Sequence, residues 1–380
     1  MDPHDFDEIR KAVRRWVREQ VVPREEEIEE HDAIPAEIVE AAKSMGLYGF
    51  SLPAKHGGLG LTMYEEARLV FELGYTTPSL RSLFGTNNGI AGHVLLEGGT
   101  DEQRARFLPP MARGECVASF ALTEAEAGSD PSGLRSTARR DGDAWVIDGD
   151  KRFITNASVA DVFMVFALTD PEAARGRGIS VFMVGADAPG VKIGRKDAKM
   201  GQRGAWTADV VLDGVRVGLE HLIGGEAGEG RGLSVAMRCL AHGRLHIAAL
   251  CVGMMQRLVD ESVEYAKARV QGGKPIARHQ LIQGLLADSQ TELMASRALV
   301  LDAATAFDDG SDRRVGPSCA KYFCSEAVDR IADRAVQIHG GAGYMRGVAV
   351  ERFYRDARLF RIYEGTSQIQ QIIIGRELTA

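Results

Sequence analysis

The sequence predicts a mainly α protein with a central β domain. It divides into an N-terminal helical domain (residues 1–118), an antiparallel β-barrel or sandwich domain (119–225) and a C-terminal four-helix bundle (226–380). Three observations predict this. Apolar residues recur at helical spacing in the first and last blocks. The middle block is a series of short β-rich runs parted by Asp-Gly turns. A chain of 380 residues is also long for one core, so two or three packed units are expected.

In the first block Ile9, Val13, Trp16 and Val17 share a helical face, as do Ile38, Val39, Ala42 and Met45. The acidic run Glu25–Glu30 reads as a solvated helix face. Gly57, Gly58 and Gly60 follow no convincing strand and carry no Lys-Ser/Thr pair, so a plain turn is expected rather than a phosphate loop. In the middle block the β-rich runs are Trp145–Ile147, Val162–Leu168, Ile179–Val184 and Val210–Leu212. Their spacing favours an antiparallel domain over βαβ units, so a nucleotide cofactor here would not sit in a doubly wound sheet. In the last block Leu245, Ala248, Cys251, Met255 and Leu258 line one helix. Ile282, Leu286, Leu293 and Val300 line a second, and Phe323, Ala327, Ile331, Ala335 and Ile338 a third. Such broad faces suit a bundle buried within an oligomer.

Composition narrows the function. A net charge of −7 argues against a general nucleic-acid binder, which needs a basic face. The acidic N-terminus lacks the basic start and apolar run of a signal peptide. The longest apolar run, Leu245–Met255, is too short to span a bilayer and reads as a buried helix. Five cysteines at irregular spacing show neither a disulfide framework nor a zinc pattern, and a cytoplasmic, reducing location fits. Cys319 and Cys324 are expected in the core. His242 and His246 have the one-turn spacing of a metal pair, but no acid stands beside them in sequence. They are expected to be helix-surface or packing residues, and no metal site is predicted.

Near the C-terminus, Arg361–Gln370 (RIYEGTSQIQ) places Glu364 between Tyr363 and the flexible Gly365, ahead of a helix over Gln368–Leu378. Taken alone this is a capped helix start, with Thr366 or Ser367 as the cap. Far upstream lies Phe120–Asp130 (FALTEAEAGSD), and between them Gln337–Tyr344 (QIHGGAGY). The three separated motifs, in this order, resemble the acyl-CoA dehydrogenase family of flavoproteins, and the resemblance covers nearly the whole chain. A helical domain, a β domain and a helical bundle are also that family's architecture.

The resemblance implies FAD as cofactor and α,β-dehydrogenation of an acyl-CoA thioester to the trans-2-enoyl-CoA. Glu364 would remove the α-proton while the β-hydrogen leaves as hydride to the flavin, and electrons pass to an electron-transfer flavoprotein. Tyr363 and Gly365 would border the substrate beside the base. The backbone N–H of Glu364 would join a flavin hydroxyl in binding the thioester oxygen. Some relatives carry the base earlier, immediately before an arginine; here that place is Gly243, followed by Arg244. Arg244 matches an arginine on the CoA side of the pocket, against the plainer reading of an exposed helical arginine.

By the same match Phe120, Leu122 and Thr123 lie along the flavin, and Ser129 serves the cofactor pyrophosphate and the substrate. Phe153 would shield one flavin face, with Thr155 at its edge; read without the match, Phe153 and Ile154 are equally well β-domain core. Arg269, Gln271, Gln337 and Gly341 resemble groups lent by a neighbouring subunit, which implies a homotetramer. Thr366 and Gln368 complete the implied cofactor set. The chain departs from the family pattern at Ala125, where proline is usual, and at Gly272, where phenylalanine is common.

Substrate choice turns on Arg81. The Arg81-Ser82 pair is similar to one in glutaryl-CoA dehydrogenases, where an arginine binds a distal carboxylate and decarboxylation follows. The alternative is that Arg81 faces outward or pairs with Glu72. Thr366–Gln370 follows the general fatty-acyl pattern and pulls the other way. A flavin oxidase or monooxygenase on the same fold and a non-catalytic acyl-CoA binder are the competing functions.

Overall fold

A computed structural model describes all residues, 1–380. The first helices are α1 (Pro3–Trp16), α2 (Glu25–His31), α3 (Ala36–Ser44) and α4 (Met63–Leu73). They are followed by α5 (Pro78–Gly85), α6 (Ala91–Gly98) and α7 (Asp101–Ala112). Local chemistry explains their ends. Asp2 caps α1, and Thr62 with Glu65, like Thr100 with Gln103, closes a reciprocal cap on α4 and α7. Asp308 adds a carboxylate to the α4 N-terminus, accepting from Met63 and Tyr64 N–H at 2.7 and 2.9 Å.

Between α5 and α6 the chain makes a π-helical turn over Thr86–Ile90, and two buried asparagines there tie the domains together. Asn88 donates to the Leu47 and Phe84 carbonyls at 2.8 and 3.0 Å and accepts from Ser51 N–H at 3.0 Å. Asn87 donates to Met111 and Cys116 carbonyls and accepts from Ala118 N–H, anchoring the first strand to the helices. Buried amides satisfied on both ends hold such a turn rigidly.

The strands are β1 (Ala118–Ala121), β2 (Thr137–Asp141), β3 (Ala144–Thr155), β4 (Val162–Leu168), β5 (Ile179–Gly185), β6 (Val191–Ile193) and β7 (Thr207–Gly218). They form one sheet in the order β1-β4-β2-β3-β7-β6, with β5 on the other edge of β4. Most pairs are antiparallel, as expected, but β1 and β2 both run parallel to β4. The sheet wraps around Trp145, Ile147, Phe163, Phe182, Val210 and Leu212.

The last third holds α8 (Gly232–Ala268), a short hairpin of β8 (Val270–Gln271) and β9 (Lys274–Pro275), α9 (Gln280–Asp309) and α10 (Val315–His339). Then come α11 (Ala349–Ala357) and α12 (Ser367–Leu378), the latter capped by Thr366. Helix α8 contains an 18-residue window of mean hydropathy 1.3, long and apolar enough to cross a membrane, yet 83% of that window is buried among neighbouring helices. It packs against α4, α6, α9 and α10. The N- and C-terminal helices share a single core, in which Phe6, Val17, Val70 and Phe84 meet Leu245, Met255, Ile331 and Phe353.

Two expectations change. The Glu25–Glu30 run is not simply solvated: Glu25 is buried between Arg257 and Arg352, and Glu29 pairs with Arg355 at 2.8 Å. Helical spacing identifies a polar face but not the cationic helices packed against it. Cys324 is core, whereas Cys319 is only half-buried; all five cysteines are free thiols.

Candidate active site

A cavity of about 1130 Å³ opens where α5, β1, β3, the 197–207 loop, α8 and the segment before α12 converge. Arg81, Phe120, Leu122, Thr123, Ser129, Phe153, Thr155, Arg244, Tyr363, Glu364 and Gly365 all line it. The chain from α11 to α12 brings Glu364 to its centre. Glu364 holds the left-handed conformation at φ 53°, unusual for a residue with a side chain, and Gly365 continues it at φ 88°. Two side chains hold this strained turn. Lys321, from the buried face of α10, donates to the Gly365 carbonyl at 2.7 Å, and Gln370 donates to the Glu364 and Gly365 carbonyls at 3.1 and 2.9 Å.

The turn delivers a bare carboxylate. Glu364 Oε2 is buried with no hydrogen-bond partner. Burial raises its pKa above the usual carboxylate range, while Arg81, Lys321, Arg244 and His242 pull it back down. The carboxylate fits because α8 carries Gly243 opposite: a Cβ at Gly243 would come within 2.1 Å of Glu364 Oε2. The two positions at which a base is expected among relatives therefore address one point in space, and here Glu364 occupies it. The Glu364 N–H takes part in no backbone hydrogen bond.

On the opposite wall Phe153 is 62% exposed with φ 57°, at a register shift between β3 and β7. Phe153 is thus not a core residue but offers the flat face of its ring to the cavity, while Ile154 beside it is core. The neighbouring Leu122–Ser136 loop is pinned by Glu124. Its carboxylate accepts from Ser136 N–H and Oγ at 3.0 and 2.6 Å and pairs with buried Lys151 at 2.7 Å. Reciprocal hydrogen bonds between Glu124 and Ala127, 3.1 and 3.2 Å, close the turn that Ala125 occupies without proline.

Comparison with known proteins agrees with this geometry. The acyl-CoA dehydrogenase N-terminal, middle and C-terminal domain families match residues 3–115, 119–215 and 230–379. The chain belongs to the acyl-CoA dehydrogenase family. It is similar to a 3-(aryl)acrylate reductase of Clostridium sporogenes, 38% identical over 370 residues and 97% of each chain. Butyryl-CoA dehydrogenase from Megasphaera elsdenii superimposes with a TM-score of 0.94 at 32% identity, covering 99% of this chain and 98% of that one. Glutaryl-CoA dehydrogenase from Mycobacterium smegmatis does so with a TM-score of 0.92 at 32% identity, covering 99% and 94%. The enzyme is thus an oxidoreductase with FAD as its cofactor, and the exposed Phe153 ring, the pinned loop and the Glu364 carboxylate fit that group.

The remaining residues implied by the family motifs are placed as follows. Arg244 is buried against the cavity, not exposed on its helix; burial lowers its pKa, and its Nε has no partner. Arg81 is 7% exposed and faces the cavity. It does not pair with Glu72, which is held by Arg10 and Arg18 at 3.0 Å each. Thr366 and Gln368 lie just beyond the lining residues, and Thr366 is occupied in capping α12. Arg269, Gln271, Gln337 and Gly341 are not brought into this cavity. They are exposed at one end of the bundle, where Ala266, Ile276 and Ile338 pack together. Gly272 and Gly273, at φ 60° and 76°, form the tight turn of the β8–β9 hairpin.

His242 and His246 are not surface residues. Both are buried, and the acid that sequence does not place beside them comes from α4: Glu66 lies 3.1 Å from His242 Nε2 and closer still to His246 Nε2. Glu66, Lys321 and Lys151 are the residues that pattern reading missed. Glu66 is an ionisable side chain on an otherwise apolar stripe, beside Ala67, Leu69 and Val70, and that signal could have found it; Lys321, near Ser318 and Ser325, and Lys151, between Asp150 and Arg152, carry no such signal.

Proposed function

We propose that the enzyme dehydrogenates an acyl-CoA thioester to the trans-2-enoyl-CoA, with Glu364 as the base that takes the α-proton. The observation that carries this is the Glu364 carboxylate in the cavity lining, with Oε2 buried and without a hydrogen-bond partner. Dry surroundings make it a stronger base than an exposed glutamate, and the surrounding cations limit how far its pKa rises. Its own free N–H is a donor for the thioester oxygen as enolate character develops. Gly365 leaves the reacting carbons open to close approach. Bound FAD supplies the two-electron acceptor that no side chain provides. Because a base that removes the α-proton can also return it, the same arrangement serves the reduction for which the Clostridium relative is named.

Electron-transfer flavoprotein is the proposed redox partner. The exposed group of Arg269, Gln271, Gln337 and Gly341 is proposed to reach the cofactor of a neighbouring subunit in a homotetramer.

A second reading concerns the acyl group. Arg81 is buried at the cavity with its Nε unpartnered, and its one side-chain hydrogen-bond partner is His246 rather than a carboxylate, so no ion pair offsets the cost of burying it. A dicarboxylyl-CoA such as glutaryl-CoA would supply that charge. Anaerobic titration with butyryl-CoA and, separately, glutaryl-CoA tests both readings. Bleaching of the flavin by butyryl-CoA alone makes Arg81 a bystander in substrate choice, and bleaching by glutaryl-CoA alone makes it a ligand. No bleaching by any acyl-CoA would refute the dehydrogenase reading. Replacing Arg81 with Ala should abolish turnover of the dicarboxylyl substrate selectively if Arg81 binds it.

A further inference from the structure

Behind Arg81 lies a buried polar chain that proton abstraction does not itself use. Arg81 Nη2 is 3.2 Å from His246 Nδ1. A guanidinium only donates, so Nδ1 is the acceptor and the His246 proton sits on Nε2, which donates to Glu66 Oε2. Glu66 also meets His242 Nε2, while His242 Nδ1 faces the Gly89 carbonyl at 3.3 Å. The His93 ring stacks on His242 with centroids 3.8 Å apart.

Space for Arg81 is built into α5 and the π-turn. A Cβ at Gly85 or at Gly89 would come within 2.7 Å of its guanidinium. Glu66, His242 and His246 have ligand atoms within 4.8 Å of one another, as a metal site would. A metal on His246 Nε2 would, however, require an imidazolate whose other nitrogen accepts from Arg81, with a fixed cation alongside. The cluster is therefore better suited to holding Arg81 than to holding an ion.

Its charge state matters. Burial pushes the pKa of His242 and His246 down to about 4 and that of Glu66 up, both of which disfavour an imidazolium beside Arg81. A neutral imidazole can direct Arg81 without cancelling its charge, as a directly paired carboxylate would.

We propose that Glu66 and His246 are positioning residues that hold the Arg81 guanidinium toward Glu364, so that its uncancelled charge favours the carboxylate form of the base. This rests on Glu364 being the base. The groups facing Glu364 are Arg81 from α5, His242 and Arg244 from α8, and Lys321 from α10. Those facing Arg81 are His246, Glu364 and Tyr363, with Glu66 behind, and Asp308 of α9 stands near Glu66.

The test is the pH profile of flavin reduction, measured anaerobically by stopped flow in flavin-loaded enzyme. His246→Leu should move the acid limb to higher pH by about one unit, in the same direction as Arg81→Met. In the Arg81→Met background it should add nothing. His246→Gln keeps an acceptor for Arg81 and a donor for Glu66, and should restore the wild-type limb. An unmoved limb in His246→Leu, or an equal shift in the Arg81→Met background, overturns the proposal. If His246→Leu loses flavin, Glu66→Leu should move the limb and Glu66→Gln should not; equal behaviour of that pair overturns it as well. A wild-type flavin that no acyl-CoA bleaches would instead remove the base itself, and this proposal with it.

Discussion

Gly243 sits within α8, and a Cβ there would lie 2.1 Å from Glu364 Oε2, 3.0 Å from its Cδ and 3.1 Å from Ile90 Cγ2. Ordinary contact begins near 3.4 Å, so Gly243→Ala must displace the carboxylate away from α8 and out of its present position. A retreat of about 1 Å at a reacting group costs on the order of a hundredfold in rate, or about 2.7 kcal/mol in the barrier. The backbone responds in the opposite sense: exchanging Gly for Ala inside a helix gains about 1 kcal/mol of propensity. The Gly243→Ala protein should therefore keep its flavin and its melting temperature while kcat falls by about two orders of magnitude. Steady-state kinetics with the best acyl-CoA, alongside a thermal melt followed by flavin fluorescence, checks both halves. A variant with near wild-type kcat would mean that the base does not occupy the space against α8. A large fall in melting temperature would mean that the loss reflects misfolding instead.

Replacing Glu364 with Gln should leave a yellow protein that binds acyl-CoA without bleaching. It should also be more stable than wild type at neutral and alkaline pH. The folded pKa of Glu364 is raised, so its stabilising contribution is complete in acid and is lost as pH rises through that pKa. Melts across pH should thus show a gap that widens upward and closes in acid; a gap of opposite sign refutes the burial argument. Lys321→Met removes both the 2.7 Å bond to Gly365 and a cation near the base, so kcat should drop and its acid limb move to higher pH. An unchanged pH profile would reduce Lys321 to packing. Glu124→Gln leaves Lys151 buried without its counter-charge, a loss of about 3–5 kcal/mol for a broken buried pair. The melting temperature should fall and flavin should be shed on gel filtration; full retention of flavin would show that the loop does not depend on this pair.

Much of this protein is legible along the chain, because helices and strands repeat their buried faces at short intervals. Leu245–Leu258 declares itself by period, Val162–Leu168 as a continuous β-rich run, and Thr366 and Gly365 mark a turn into a helix. The family motifs lead to Glu364, Thr123 and Phe153 for the same reason, since each motif is a contiguous segment. Periodicity says that a residue faces inward but not which element it meets. His242 meets Glu66 across 176 residues of chain, and Lys321 meets Gly365 across 44. Arg81 could on paper meet a substrate carboxylate, face outward or pair with Glu72; its burial closes the second, and Arg10 and Arg18, which hold Glu72, close the third. The order of the helical and β blocks, and Glu364 as the candidate base, could be read from the chain alone. Which buried charges stand around Glu364 emerges only from the packing, because an ion pair or a polar chain is formed by side chains that share a place in space and need share nothing in sequence.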